Sequence, residues 1–534
     1  MFPISHLKFQ AVRPQSAFSV DSLFSFGFSH NSPGKGAHIG GVLPIGFCYI
    51  EMMIVVKMLD FTVFYSINPH CVRIKVPTMF PAKETISSGV RSPETTSTSR
   101  RDFLVRSGET ATITAAVSVL GAVHSEAAEP QDEIRLGLIG CGGMMGGHVR
   151  HLTSQKSGVV FTRLCDVDPR QMDKLSGPIG AFQSTAPKRT ATYEDVIADK
   201  SVDAVFIATP HHWHAPIALA ALAAGKDVYL EKPISHVYNE GKLLIAAARK
   251  HGRVIQQGSQ MRSSPVTMQA GKLLSEGIIG EVKVARAWTA ELREVQRPVP
   301  DSEPPAKVDY DRWLGPAPNR PFNPIRFHVS WRLFRDYANG EIGDDGIHDL
   351  DMARWGLGDP ELPKYVTARG GRMKLHGHVS EYPDNMHVTY EYPDGRLLIY
   401  ENYPFTEYGL HGFDNGNVFY GTEGYMVFSR RGAFTAFLGR KGKPGPTELK
   451  LTRGNRGYVE HQQDFLRAVR ARSTPNASVE IAHASCALVH LGEIAYRTGG
   501  NLEFDPESQQ FVGSDAANAM LTKKYRKPYE LPAV

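Results

Sequence analysis

The residues with the most chemical promise sit in residues 340–355, GEIGDDGIHDLDMARW. Asp344 and His348 are four apart and His348 and Asp351 three apart, so on a helix all three share one face. Such a face suits acid–base work: an imidazole accepts a hydroxyl proton, while a carboxylate fixes its tautomer and supports its charged form. An exposed or capping role explains Asp351 equally well. A second stretch, residues 134–148 (IRLGLIGCGGMMGGH), breaks from an apolar run into Gly140, Gly142, Gly143, Gly146 and Gly147. It reads as a buried strand, a tight turn and a helix start, whose free N–H groups and partial positive charge suit a dinucleotide pyrophosphate. Counted as G-x-G-x-x-G, Met145 stands where the third glycine belongs, which predicts a shifted start or packing of the first helix. Asp166, 24 residues after Gly142, ends the next apolar run, where an acid accepts hydrogen bonds from the adenosine ribose. Its charge favours NAD, while Arg163 and Arg170 keep NADP open; capping a helix within DVDP is the alternative role for Asp166. His211, His212 and His214 crowd together without a carboxylate or cysteine at zinc-like spacing, so no metal is expected.

These groups need a scaffold, and the hydrophobic pattern supplies one. Strand-like runs at residues 159–166, 203–209, 227–230 and 254–257 alternate with amphipathic segments at 216–224 and 238–250. That alternation predicts an α/β Rossmann domain, a parallel doubly wound sheet, over residues 132–260. After Gln260 an amphipathic segment at 268–276 leads to a long strand-like run at 282–292. Extended candidates at 365–368, 386–392, 396–402, 417–420 and 425–430 then predict an α+β domain with a large, mostly antiparallel open sheet over 261–500. Residues 309–323 form a Pro/Gly-punctuated loop, and His328, Trp331, Arg332 and Arg335 follow within reach of the cleft; simple packing is the other reading of Trp331. Residues 458–470 and 481–498 are helical by periodicity, and 501–534 read as a C-terminal tail, basic and extended from 523 to 532.

Residues 224–233, AGKDVYLEKP, with residues 208–222, ATPHHWHAPIALAAL, resemble the Gfo/Idh/MocA family of oxidoreductases, named for glucose-fructose oxidoreductase and inositol dehydrogenase. The family's Asp-x-x-x-His pattern is matched by Asp344 and His348, and the resemblance spans roughly residues 132–500. It implies that Lys232 lies beside the nicotinamide and substrate, where an ammonium hydrogen-bonds a substrate hydroxyl and stabilises alkoxide character. It also implies His348 as general base, with Asp344 as a substrate or histidine partner. Thr209, His214 and Glu231 join Gly140, Gly142, Gly143, Asp166 and Lys232 as implied cofactor-binding residues, with a loop or helix-start role open for His214. Trp331 and Arg332 join Lys232, Asp344 and His348 on the substrate side. The family's second sheet covers the nicotinamide on one face and supports homo-oligomers, a dimer or tetramer, on the other. The reading is an NAD(P)-dependent oxidoreductase transferring hydride from a sugar, cyclitol or related polyol. Alternatives are NAD-dependent glycoside cleavage through transient oxidation and elimination, and a non-catalytic NAD- or sugar-binding protein.

Composition narrows the setting. A net charge of +5 over 534 residues, with no basic stripe interleaved with aromatics, argues against a nucleic-acid partner. Cys141, Cys165 and Cys486 stand alone in apolar segments and read as small buried hydrophobes. Residues 1–78 lack sustained periodicity and read as a doubtful extension; charges at Glu51, Lys57 and Asp60 argue against a membrane span. From Met79, residues 79–128 resemble a twin-arginine export signal: Ser99-Arg100-Arg101-Asp102-Phe103-Leu104, an apolar run at 111–123, and small residues at 125–128. That route predicts a periplasmic or otherwise exported protein already folded around a tightly bound cofactor.

Overall fold

The computed structural model describes residues 133–155, 157–328, 330–449 and 456–532, and the backbone of three antiparallel strands, β1 (Met53–Lys57), β2 (Asp60–Ile67) and β3 (His70–Lys75). The Arg100-Arg101 motif, the apolar run after it and the small residues at 125–128 lie outside the described residues. Among the described residues, no helix is long and apolar enough to cross a membrane.

The first domain is a parallel six-stranded sheet of β4 (Ile134–Ile139), β5 (Val159–Cys165), β6 (Lys188–Thr190), β7 (Ala204–Ile207), β8 (Asp227–Leu230) and β9 (Ile255–Gln257), in the order β6-β5-β4-β7-β8-β9. Every residue of β7 and β8 is buried, as expected for a parallel strand covered on both faces by helices. Those helices include α1 (Gly143–Thr153), α2 (Pro169–Phe182), α3 (Tyr193–Ala198), α4 (His214–Ala223) and α5 (Tyr238–His251). Strand order reverses at β4, so the turn from β4 into α1 lies at the switch point, where such sheets bind ligands beyond their strand ends. The missing third glycine is resolved simply. Met145 is buried in the core, and Gly146, one place later, faces α2, with Leu175 Cδ2 3.9 Å from where a Cβ would stand.

The chain then runs through α6 (Pro265–Ser275), β10 (Val282–Thr289), α7 (Tyr310–Leu314), α8 (Gly340–Asp344) and α9 (Gly346–Gly356). The second sheet is completed by β11 (Tyr365–Gly371), β12 (Asn385–Glu391), β13 (Leu397–Asn402), β14 (Asn415–Gly421), β15 (Gly424–Ser429), β16 (Ala433–Leu438) and β17 (Lys443–Glu448). After α10 (Tyr458–Ala471) and α11 (Val479–Thr498) come β18 (Asn501–Asp505), β19 (Gln510–Phe511) and α12 (Asp515–Ala519). The order is β17-β16-β15-β14-β10-β13-β12-β11-β18-β19, ten strands, antiparallel except for the β10–β13 pair. Helices α6, α9 and α11 pack against it.

Two features depart from the sequence reading. The segment after Gly500 is more than an extended tail, because β18 pairs with β11 and lengthens the sheet. Helix α10, though it follows the second sheet, buries Phe465, Leu466, Ala468 and Val469 with Leu136, Leu138 and Phe161 in the core of the first domain. An amphipathic pattern announces a helix with an apolar stripe but not which sheet receives that stripe.

Candidate active site

One end of the cleft is made of backbone. Gly140 has φ +81°, and a Cβ there would stand 2.8 Å from the Ala208 carbonyl, so only glycine fits between β4 and β7. At Gly142 and Gly143 a Cβ would meet nothing within 4 Å. No side chain caps α1 at Gly142 and no acid sits in its first turn, so the helix N–H groups and positive end remain available. Asp166 closes the turn by accepting hydrogen bonds from the Cys141 N–H at 2.7 Å and the Asp168 N–H at 2.9 Å. Burial pushes its carboxyl up to about 6 against those two bonds. The cap of α2 is Asp168 instead: it accepts from the Arg170 N–H at 3.0 Å and pairs with Arg170 and His328, each at 2.8 Å. Arg163 is likewise committed, to Asp199 at 2.6 Å. The cleft encloses about 920 Å³, counted to the solvent at its mouth, and is lined by Gly140, Gly142, Gly143, Asp166, Thr209 and Trp331 among others. An uncapped helix start, open space above the glycines and an acid on the ribose side fit a dinucleotide.

The other end is made of side chains. Lys232 lies just beyond β8, and its Nζ reaches Asp344 Oδ1 at 2.8 Å as well as the Asp344 carbonyl. Asp344 Oδ2 pairs with Arg332 Nε at 3.0 Å. The Arg332 guanidinium stacks 4.4 Å from the Trp331 ring centroid, and the Trp331 indole donates to the His328 carbonyl at 3.1 Å. Trp331 therefore both packs and lines the cleft.

Glu231 was expected against the cofactor and lies behind the lysine instead. Its buried carboxylate bonds His148 Nε2 at 2.9 Å, the Lys232 N–H at 3.3 Å and Gln260 Nε2 at 3.4 Å. On the far side of the imidazole, Gln462 of α10 lies 2.8 Å from His148 Nδ1. Burial alone would raise the Glu231 carboxyl, but the His148 bond and nearby positive groups hold it below the usual range. The glycine at 258 leaves room, since a Cβ there would come 2.6 Å from Glu231 Oε1.

His348 occupies the first turn of α9, and here the helical-face expectation needs correction. Helix α8 ends at Asp344 and α9 begins at Gly346, where a Cβ would collide with the Tyr400 hydroxyl, so the two residues sit on separate helices. Asp344 gives its oxygens to Lys232 and Arg332 rather than to His348. Among the described residues the His348 ring makes no hydrogen bond. Burial first, then the charges of Lys232 and Arg430, push its imidazole down to about 3, which keeps the ring neutral near pH 7, with one nitrogen protonated and the other not.

Asp351 is neither exposed nor a cap. It is buried, paired with Arg262 at 2.8 Å and hydrogen-bonded by Ser485 at 2.6 Å. His214 does not line the cleft: its ring is buried between the Pro233 and Thr209 carbonyls at 2.7 and 2.8 Å, tying two loops together. His211 and His212 turn to Asn339 and to the Trp313 carbonyl, at 3.2 and 3.0 Å. Sequence reasoning missed the charged layer behind His348. Arg293 pairs with Glu341 at 2.7 Å and Asp345 at 2.5 Å, while Arg430 lies 3.2 Å from Asp345 and 3.5 Å from Asp349. Only the run of acids at 341–351 signals it; the arginines come from distant segments.

A glycine-turn nucleotide cleft in one domain, closed by charged residues from a second, defines a two-domain NAD-binding oxidoreductase. Residues 134–259 match the family described as an oxidoreductase family with an NAD-binding Rossmann fold, and residues 281–421 and 455–531 its C-terminal alpha/beta domain. The chain belongs to the Gfo/Idh/MocA oxidoreductase family, and its Rossmann domain is the NAD-binding one. Inositol 2-dehydrogenase 2 of Saccharopolyspora erythraea is 24% identical over 379 residues, covering 70% of this chain and 97% of that protein. Levoglucosan dehydrogenase of Pseudarthrobacter phenanthrenivorans is 28% identical over 267 residues, covering 45% of this chain and 58% of its own length. A solved structure of levoglucosan dehydrogenase with NADH and levoglucosan shares the fold, with a TM-score of 0.55 and 20% identity over 70% of this chain and 100% of that one.

Proposed function

We propose that the protein oxidises a hydroxyl-bearing carbon of a sugar, cyclitol or related polyol. The observation that carries the reading is the Lys232–Asp344 ion pair joining the two domains, with the neutral imidazole of His348 beside it. Bound NAD supplies the acceptor for the hydride that leaves the carbon. The chain supplies the rest. Lys232, held by Asp344, donates a hydrogen bond to the reacting oxygen and favours its negative character. His348 accepts the hydroxyl proton on a ring nitrogen, so the carbinol leaves as a carbonyl. Trp331 and the stacked Arg332 form a flat, polar-edged wall suited to a sugar ring. Glu231, through its bond to the Lys232 main chain, holds the lysine in register.

The setting follows from the Arg100-Arg101 signal: a periplasmic or otherwise exported enzyme that keeps its cofactor bound. It assembles as a homo-oligomer through the sheet face opposite the helices, where Val284, Leu397, Tyr420 and Tyr425 lie side by side in register and remain partly exposed. Denaturing the purified mature protein should release NAD or NADH, and a panel of polyols and sugars should yield an oxidised product. Absence of released dinucleotide would overturn the bound-cofactor reading. A glycoside cleaved with no change in oxidation level would replace net oxidation by redox-assisted elimination.

A further inference from the structure

A second cavity, of about 1080 Å³ counted to the solvent at its mouth as for the cleft, lies among the start of α5, α11, the segment before α8 and the residues after α12. It shares no lining residue with the dinucleotide cleft. Four cationic side chains line it, Arg335, Arg497, Lys523 and Lys524, against two carboxylates, Asp336 and Glu493, an excess of two positive charges. Much of that charge is poorly matched from within. Arg335 and Arg497 approach Glu493 only to 3.5 and 3.8 Å, too long for hydrogen bonds, and Lys524 has no ion pair or hydrogen bond among the described residues. Lys523 is fixed by Glu240 at 3.0 Å and His236 at 2.8 Å, so it contributes a positioned charge rather than a mobile one. Glu493 is buried, and desolvation raises its carboxyl against the pull of Arg497 and Arg335 and of the polar contacts from Arg335 and Asn339. The remaining wall mixes apolar patches such as Ala317 and Met520 with polar groups such as Asn339. Clustered cations, a buried carboxylate and apolar patches match a ligand that carries an anionic group, a hydroxyl and a carbon skeleton.

We propose that this cavity is a second ligand site, taking a small hydroxylated anion of the sugar-acid or sugar-phosphate class. The anionic group lies against Arg497 and Lys524, and a ligand hydroxyl donates to Glu493. The site is independent of the reaction assigned to Lys232 and His348.

Titration calorimetry on the full-length protein with its bound dinucleotide tests this, using gluconate, glucose 6-phosphate and uncharged glucose as probes. At least one anion should bind about tenfold or more tightly than glucose, and the stronger of the two identifies carboxylate or phosphate as the preferred group. The charge reversal Arg497→Glu with Lys524→Glu should weaken that anion by about tenfold or more, while dinucleotide content stays unchanged. Lys232→Met, which removes a cation at the other site, should leave anion affinity unchanged. Anions that bind no better than glucose would overturn the proposal. So would anion affinity lost in Lys232→Met but kept in the double reversal. Should the reversal fail to fold, Arg497→Gln with Lys524→Gln gives the same reading with a smaller loss.

Discussion

The two ends of the dinucleotide cleft are built by opposite means. The glycine end depends on backbone geometry within residues 140–168, and its floor at Gly142 and Gly143 is open space. The lysine end depends on side chains from separated segments: Glu231 and Lys232 after β8, Arg332 before α8, Asp344 and His348 at a helix break, and His148 with Gln462 behind them. An open backbone site tolerates change in packing and fails only in binding. A packed, charged site should fail in turnover and in stability together.

The largest expected effect comes at the lysine end. Lys232→Met should lower kcat by about 10³-fold or more while the purified protein keeps its dinucleotide. It should also lower stability by about 2 kcal/mol, because Asp344 loses one of its two cationic partners in a mostly buried site. Turnover close to that of the parent would remove Lys232 from the chemistry, and loss of the dinucleotide instead would make it a cofactor anchor.

Next comes the glycine end. Gly142 has φ −71° and ψ −164°, which any residue adopts, and aspartate is a favoured residue at that N-cap position. Gly142→Asp should therefore leave the melting temperature unchanged or raised, while its carboxylate opposes the pyrophosphate and weakens dinucleotide affinity by about 100-fold. If stability and affinity fell together, the turn would be packed rather than open, and the contrast between the two ends would disappear.

The contrast also explains what could be read in advance. Gly140, Gly142 and Asp166 were legible because a tight turn and an acid at a fixed interval are local facts of sequence. Lys232 and His348 stood out by motif, but their partners did not. The Asp344–His348 spacing implied one helix, whereas Gly346 packs under the Tyr400 hydroxyl and the helix breaks there. Glu231 bonds a histidine 83 residues away, which in turn bonds a glutamine 314 residues further on, and no periodicity carries such a pairing. Helix α10 was legible as a helix, but its docking on the first domain was not, because an apolar stripe fits either sheet.

The smallest expected effect separates two neighbours on α9. His348 is half-buried, while Asp349 is fully buried against the second sheet, accepting from Thr289 Oγ1 at 3.1 Å with Arg430 Nε at 3.5 Å. Burial pushes the Asp349 carboxyl up to about 8, against the pull of Arg430. Unfolded, the same group loses its proton near about 3.9. Between these values the folded chain holds a proton that the unfolded chain has lost, so the stability owed to Asp349 falls as pH rises, by at most about 1.4 kcal/mol per pH unit. His348, pushed down to about 3, acts in the opposite sense: the unfolded chain binds the proton first, and stability falls as pH drops below about 6.5. Asparagine resembles the protonated acid and cannot lose a proton. Asp349→Asn should therefore gain on its parent steadily as pH rises from about 5 to about 8 in denaturant unfolding, with a slope no steeper than about 1.4 kcal/mol per pH unit. The same deficit at both pH values would mean that Asp349 is ionised throughout and paired with Arg430. In that case the layer behind His348 would be a charged lattice rather than a protonated wall.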